Sequence, residues 1–192
     1  MKAIILLATL KKEGLSNTQV LSEFLAEYLQ KNQIDTEIVK LVEHNILPGT
    51  YTNMGKNDDW PAIFEKIKNA EIVIFATPIW WNSQSSEMQK VIERLDEIHD
   101  DILAGKKSAL EGKAGGIVVT GDSDGAQSII GNITNFFSAI GITSPPMSTL
   151  TVIDELQAKS KQPTREELWK KYEKEYAEAA ETMSKNLKKF AQ

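Results

Sequence analysis

The sequence predicts a doubly wound α/β domain: a five-stranded parallel sheet in the order 2-1-3-4-5, helices on both faces, and a long helix at the C-terminus. Three observations lead there. Short, continuous apolar runs recur along the chain, and such runs suit parallel strands buried on both faces. Stretches with apolar residues at helical spacing separate them, and strands alternating with helices imply right-handed crossovers within one sheet. One further segment mixes charged and apolar residues, the pattern of an edge strand.

The elements follow in order. Ala3 to Ala8 is the first apolar run, and Val20, Leu21, Phe24, Leu25, Tyr28 and Leu29 form the stripe of the helix after it. Ile34 to Leu41 is the mixed segment, with Asp35, Glu37 and Lys40 interleaved among Ile34, Ile38, Val39 and Leu41. Trp60-Pro61 followed by Ile63, Phe64 and Ile67 makes a short helix capped by Asp58 or Asp59. Ile72 to Ala76 is the third strand, and Met88, Val91, Ile92, Leu95 and Ile98 form the stripe that follows. Gly116 to Thr120 is the fourth strand, succeeded by a stripe from Ala126 to Ile140 and by Ile140 to Thr143 as the fifth strand.

Beyond these, Leu168, Tyr172, Tyr176, Ala179 or Ala180, Met183, Leu187 and Phe190 recur at helical spacing between Thr164 and Phe190. They predict one helix of about 40 Å, at roughly 1.5 Å per residue, after a linker at Ser160 to Pro163. Residues 1–150 are then the sheet domain, and 151–192 a linker and helix that covers its own sheet edge or serves a dimer.

Composition bounds the function. A chain of 192 residues with 41% hydrophobic and 26% charged residues is an ordinary globular domain with a terminal extension. The net charge of −5 argues against a nucleic-acid surface, which needs clustered Lys and Arg. Without Cys there is no disulfide, thiolate nucleophile or Cys-ligated metal, which is compatible with the cytoplasm. The run from Ile72 to Trp81 is too short to span a bilayer and is interrupted by Pro78. Lys11 and Lys12 break the N-terminal apolar run too early for a signal peptide, so a cytoplasmic location away from membranes is expected.

Three loops fall at the carboxyl ends of strands one, three and four, where an open sheet of this order binds ligands. After the first strand, Ser16-x-x-Gln19 has capping-box form and marks a helix N-terminus. Free N–H groups gather there with hydroxyls from Thr9, Ser16 and Thr18, the Asn17 amide and the Lys11 ammonium, a set suited to one phosphate monoester. An ordinary cap is the alternative. Neither a Walker loop nor Gly-x-Gly-x-x-Gly occurs.

After the third strand, Thr77, Pro78, Ile79, Trp80, Trp81 and Asn82 place two indoles beside a proline, which suits a flat heteroaromatic ring or, alternatively, packing on protein or a second subunit. Asn82, Ser83 or Ser85 could cap the next helix. After the fourth strand comes a loop with Gly121, Asp122, Gly125 and Ala126, whose glycines let backbone N–H groups approach a ligand edge, while Asp122 or Asp124 could simply cap the helix that follows. His44 and His99 stand far apart, no triad or carboxylate pair stands out, and no side chain is named as catalytic or as a metal ligand. A cofactor is then the expected carrier of any chemistry.

Over residues 1–150 the chain resembles flavodoxin-fold NAD(P)H-dependent FMN reductases and their flavodoxin relatives. The resemblance is carried by Ala76-Thr77-Pro78-Ile79-Trp80-Trp81-Asn82 with Val91 to Asp96, by Val118 to Ala126, and by Ser16-Asn17-Thr18. It implies a flavodoxin-like fold in which the first loop binds the FMN phosphate and the other two border the isoalloxazine ring. It also implies FMN as cofactor, NAD(P)H as co-substrate, and a small electron acceptor such as a quinone, a nitro or azo compound, or free flavin. A homodimer or homotetramer is the expected assembly. One departure concerns the phosphate loop, which often opens Gly-Ser-x-Arg in that family, whereas Thr9-Leu10-Lys11-Lys12 stands here. Lysine supplies the charge without the forked geometry of arginine, and either Lys11 or Lys12 is placed to do so. A non-enzymatic electron carrier and a flavin-free scaffold are the rival readings.

Overall fold

The computed structural model describes residues 1–121, 124–154 and 163–191. Five strands form one all-parallel sheet: β1 (Lys2–Leu7), β2 (Asp35–Lys40), β3 (Ile72–Pro78), β4 (Ala114–Gly121) and β5 (Thr149–Ile153), in the order β2-β1-β3-β4-β5. The fold is the flavodoxin-like one expected, with the mixed strand β2 at an edge. Helices α1 (Asn17–Lys31), α6 (Arg165–Glu175) and α7 (Ala177–Phe190) cover one face. Helices α2 (Trp60–Lys68), α3 (Ser86–Arg94), α4 (Asp96–Leu103) and α5 (Ala126–Ile140) cover the other.

The alternation within each inner strand explains its unbroken apolar sequence. Ile4, Leu6, Val73, Phe75, Ile117 and Val119 enter the core under α2 to α5. Their neighbours Ala3, Ile5, Leu7, Ile72, Ile74, Ala76 and Val118 enter the core under α1, α6 and α7. Each strand residue is thus withdrawn from water on one side or the other, at roughly 25 cal/mol per Å² of apolar surface.

The fifth strand differs from expectation. Ile140 is the last residue of α5, Gly141 closes that helix at φ 88°, and Thr143 makes only an isolated bridge to Ala114. Pro145 and Pro146 cannot donate to a ladder, so strand pairing resumes only at Thr149, three residues past Pro146. The stripe from Met88 to Ile98 is likewise shared between α3 and α4, which meet at Leu95.

The C-terminal stretch is two helices, not one long one. Thr164 starts α6 with a complete capping box to Glu167, and the chain breaks at Tyr176, φ −127° and ψ 1°, before α7 begins. The bend lets α6 pack on α1 through Phe24, Trp169 and Tyr172 while α7 lies along β4 and β5. Leu168, Tyr172, Ala180, Met183 and Leu187 all join the same core cluster, and a straight rod would not bring all of them to it.

Between β2 and α2 the chain is organised by one buried ion pair. Arg94 and Asp58 have fully buried side chains, bonded at 2.7 and 3.0 Å in a two-pronged pairing. The Arg94 guanidinium also donates to the carbonyls of Leu47, Tyr51 and Thr52, so every N–H of the fork has an acceptor. Asp58 accepts from the backbone N–H groups of Leu47, Met54 and Trp60. Burial works to raise its pKa, but the Arg94 bond and those three N–H groups outweigh burial and hold the carboxyl at about 2 against an ordinary 3.8.

Arg94→Met leaves a buried carboxylate unpaired and is expected to lower stability by roughly 3–5 kcal/mol in urea unfolding. Because the folded value lies below the ordinary one, the Asp58 contribution is whole above about pH 4 and is lost as pH falls through about 2. Stability curves of the wild type and Arg94→Met measured across that window should therefore converge at the acid end.

Candidate functional site

A cleft of about 790 Å³ opens at the carboxyl ends of β1, β3 and β4. It lies where the strand order reverses, because the loop after β1 leads to a helix on one face and the loops after β3 and β4 lead to helices on the other. Its lining comes from three loops and from Pro163, next to the first residues of α6.

The first loop is built on hydroxyls. Ser16 caps α1, its Oγ accepting from the Gln19 N–H at 3.3 Å while donating to Thr9 Oγ1 at 2.9 Å. The Gln19 amide itself donates to Glu23. Thr9 Oγ1 also accepts from the Lys11 N–H. Thr18 and Thr120 share a hydroxyl contact of 2.6 Å that ties the start of α1 to the end of β4. Thr9, Ser16, Thr18 and Thr120 are all buried within the protein part of the wall, so this end of the cleft carries polar groups held by one another. The Lys11 ammonium donates to the Leu15 carbonyl and lines the cleft, whereas the carbonyl of Lys12 is engaged by Lys40 and Lys12 is outside the lining.

The second loop is a two-residue hairpin. Trp80 and Ser83 exchange both backbone hydrogen bonds at 2.8 Å, and the central residues Trp81 and Asn82 lie at φ 46° and 61°. Positive φ at both centres defines the tight turn usually made by Asn-Gly, and a bulky indole in that region is strained. Trp80 is 51% and Trp81 96% exposed, so neither ring is packed into the chain. At the base of the loop, Ser85 caps α3 and donates to the Ala8 carbonyl at 2.6 Å, while its own N–H reaches Thr77 Oγ1. The β1 and β3 loops are joined at that point.

The structure brings Thr9, Lys11, Ser16, Asn17, Thr18, Pro78, Ile79, Trp80, Trp81, Asn82 and Gly121 together along one cleft. Three other candidates stand behind it. Thr77 is fully buried and braces the loop through Ser85, Ala126 is buried as the first residue of α5, and Gly125 touches the hairpin. Asp122 lies outside the described residues. Helix α5 is capped at Gly125 with no side-chain bond.

The lining also includes Leu10, Leu15, Thr120 and Pro163, which the sequence did not mark as site residues, and Asp124, which it offered only as a helix cap. Thr120 was visible as the terminal hydroxyl of an apolar strand. Pro163 had no local signal, since only the folding of α6 onto α1 brings it to the cleft. The charged groups among the described lining residues are Lys11 and Asp124, one from the first loop and one from the third.

Fold and cleft together define a flavodoxin-like doubly wound protein with its cleft at the switch point. Residues 1–155 match the family described as NADPH-dependent FMN reductase, and the chain belongs to that family. It is 30% identical over 153 residues to a divalent metal cation transporter of Mycobacterium bovis, a match covering 77% of this chain and 22% of that protein. Among the described residues no helix is long and apolar enough to cross a membrane. It is also 32% identical over 159 residues to 8-demethyl-8-aminoriboflavin-5'-phosphate synthase of Streptomyces davaonensis, covering 76% of this chain and 61% of that one. The chain thus spans less than two thirds of either relative. In fold it is similar to the crystal structure of RosB with bound 8-demethyl-8-formylriboflavin-5'-phosphate, with a TM-score of 0.81, 24% identity, and coverage of 99% of this chain and 78% of that one.

Thr18→Val keeps the shape of the side chain but strips Thr120 of its partner. It should cost roughly 1–3 kcal/mol of stability, the penalty of a buried unpaired hydroxyl, in thermal or urea unfolding.

Proposed function

We propose that the chain is an FMN-dependent oxidoreductase that takes electrons from NAD(P)H and passes them to a small acceptor such as a quinone, a nitro or azo compound, or free flavin. The observation that carries this reading is the cleft at the switch point, in a chain of the FMN reductase family. Its volume of about 790 Å³ falls in the range of cofactor pockets. The donor set also fits the group: hydroxyls, a helix N-terminus and a lysine suit a phosphate, and two unpacked indoles suit a flat ring.

In this reading Thr9, Lys11, Ser16, Asn17 and Thr18 hold the phosphate, with the positive end of α1 adding to the Lys11 charge. Pro78 to Asn82 and Gly121 border the ring, and the Trp80 and Trp81 indoles keep water from one side of it. Bound FMN would supply reversible hydride and electron transfer, chemistry that none of the lining side chains has. The residues therefore bind, orient and shield, and no side chain is required as acid or base.

Titration with FMN followed by anaerobic addition of NADH and then NADPH tests the proposal, and bleaching of the yellow flavin absorbance is the expected outcome. Bound flavin that stays oxidised with both nicotinamides would instead support a carrier, and no flavin binding at all would support a scaffold. Lys11→Ala combined with Thr18→Ala should weaken FMN binding by roughly tenfold or more, as loss of a charge-assisted and a neutral hydrogen bond predicts. A second reading is favoured by the relative at 32% identity, whose name is that of a synthase of an aminated riboflavin phosphate: here the flavin phosphate would be substrate, not cofactor. FMN recovered chemically unchanged after many turnovers would reject it.

A further inference from the structure

The hairpin that carries Trp80 and Trp81 is held in an unfavourable shape by contacts outside itself. Its own sequence, Trp81-Asn82 at the two centres, is a poor match for a turn that needs positive φ twice. Its base is fixed by the Ile79 N–H donating to the Thr120 carbonyl at 2.9 Å. Its flank rests on Gly121 at the end of β4 and on Gly125 at the cap of α5.

Two glycines make that flank possible. A Cβ on Gly125 would stand 2.7 Å from the Asn82 Cα, closer than real Cβ atoms come to a neighbouring carbon, and 3.0 Å from its Oδ1. Gly125 itself lies at φ 128°, a conformation that L side chains rarely adopt. A Cβ on Gly121 would stand 2.7 Å from Ile79 Cδ1 and 3.0 Å from its Cβ.

We propose that Gly121 and Gly125 are positioning residues that form a seat for the Ile79 to Asn82 hairpin and thereby fix how Trp80 and Trp81 are presented to the cleft. The seat explains how a strained turn with a 96% exposed indole persists: contacts with Thr120, Gly121 and Gly125 over-determine it. The consequence for flavin binding rests on the function proposed above, whereas the presentation of the indoles does not.

The test uses Gly125→Ala and Gly121→Ala, with Gly131→Ala as control, since a Cβ at Gly131 meets nothing within 4 Å. In the flavin-free proteins, acrylamide quenching of tryptophan fluorescence should change in both seat variants and stay at the wild-type value in the control. FMN affinity should fall by about tenfold or more in the seat variants, the fold-change that a displaced, strained backbone segment carries. In a Trp80→Ala, Trp81→Ala background the same substitutions should have little further effect on FMN affinity, because residues acting as one unit are not additive.

Gly125→Ala also alters the cap of α5 and so stands at risk of misfolding. Gly121→Ala has no such role, and adding Ile79→Val, which removes the nearest clashing atom, should restore its quenching toward wild type. Unchanged quenching in Gly121→Ala, or full additivity with the tryptophan substitutions, would overturn the proposal. A wild-type protein that binds no FMN, with quenching altered in the seat variants, would overturn the flavin reading alone.

Discussion

Strands β1, β3 and β4 lie in the middle of the sheet with helices against both faces, and this double burial dictates the placement of the remaining elements. A strand buried on both faces cannot turn back on itself cheaply, so each crossover must travel over one face as a helix. The first crossover of the chain, through α1, takes one face, and those through α3 and α5 take the other. Loops leaving adjacent strands in opposite directions separate, and the cleft is the gap between them. The position of the site is therefore a property of the strand order before any side chain is considered.

The sequence revealed the parts in which local pattern and final environment agree. Ala3 to Ala8, Ile72 to Ala76 and Gly116 to Thr120 are legible because every residue in them is buried. The charged residues of β2 are legible as an edge for the opposite reason. β5 was misplaced because Ile140 to Thr143 has the composition of a strand, while the fate of those residues is decided by Gly141 and the two prolines. The break at Tyr176 is invisible to periodicity, since the helical stripe continues across it and only the packing of α6 on α1 and α7 on β4 and β5 demands the turn.

The cleft was legible to a similar degree. Thr9, Lys11, Ser16 to Thr18, Pro78 to Asn82 and Gly121 could be assigned to it because they sit at strand ends, which topology alone selects. Thr77 and Ala126 occupy the same segments but face inward, a distinction carried by side-chain direction and not by residue type. Pro163 belongs to a region beyond the family match, so a residue just ahead of α6 contributes to the wall of a site whose other parts lie within that match. Lys11, not an arginine, stands at the phosphate end proposed for that wall, and its Leu15 contact shows how a single ammonium can be held there without a fork.

The Arg94 and Asp58 pair has a consequence for motion. Between His44 and Asp59 the chain has one buried apolar anchor, Ile46, while Tyr51 and Met54 are exposed, and beyond Ile46 the segment is closed largely by bonds that converge on one guanidinium and one carboxylate. Bonds that share two groups cannot be broken singly without leaving a buried charge unmatched. The amides of Leu47 and Met54 both end on the Asp58 carboxylate, so any departure of that group from its place exposes the two together, coupling their protection from solvent to a single ion pair.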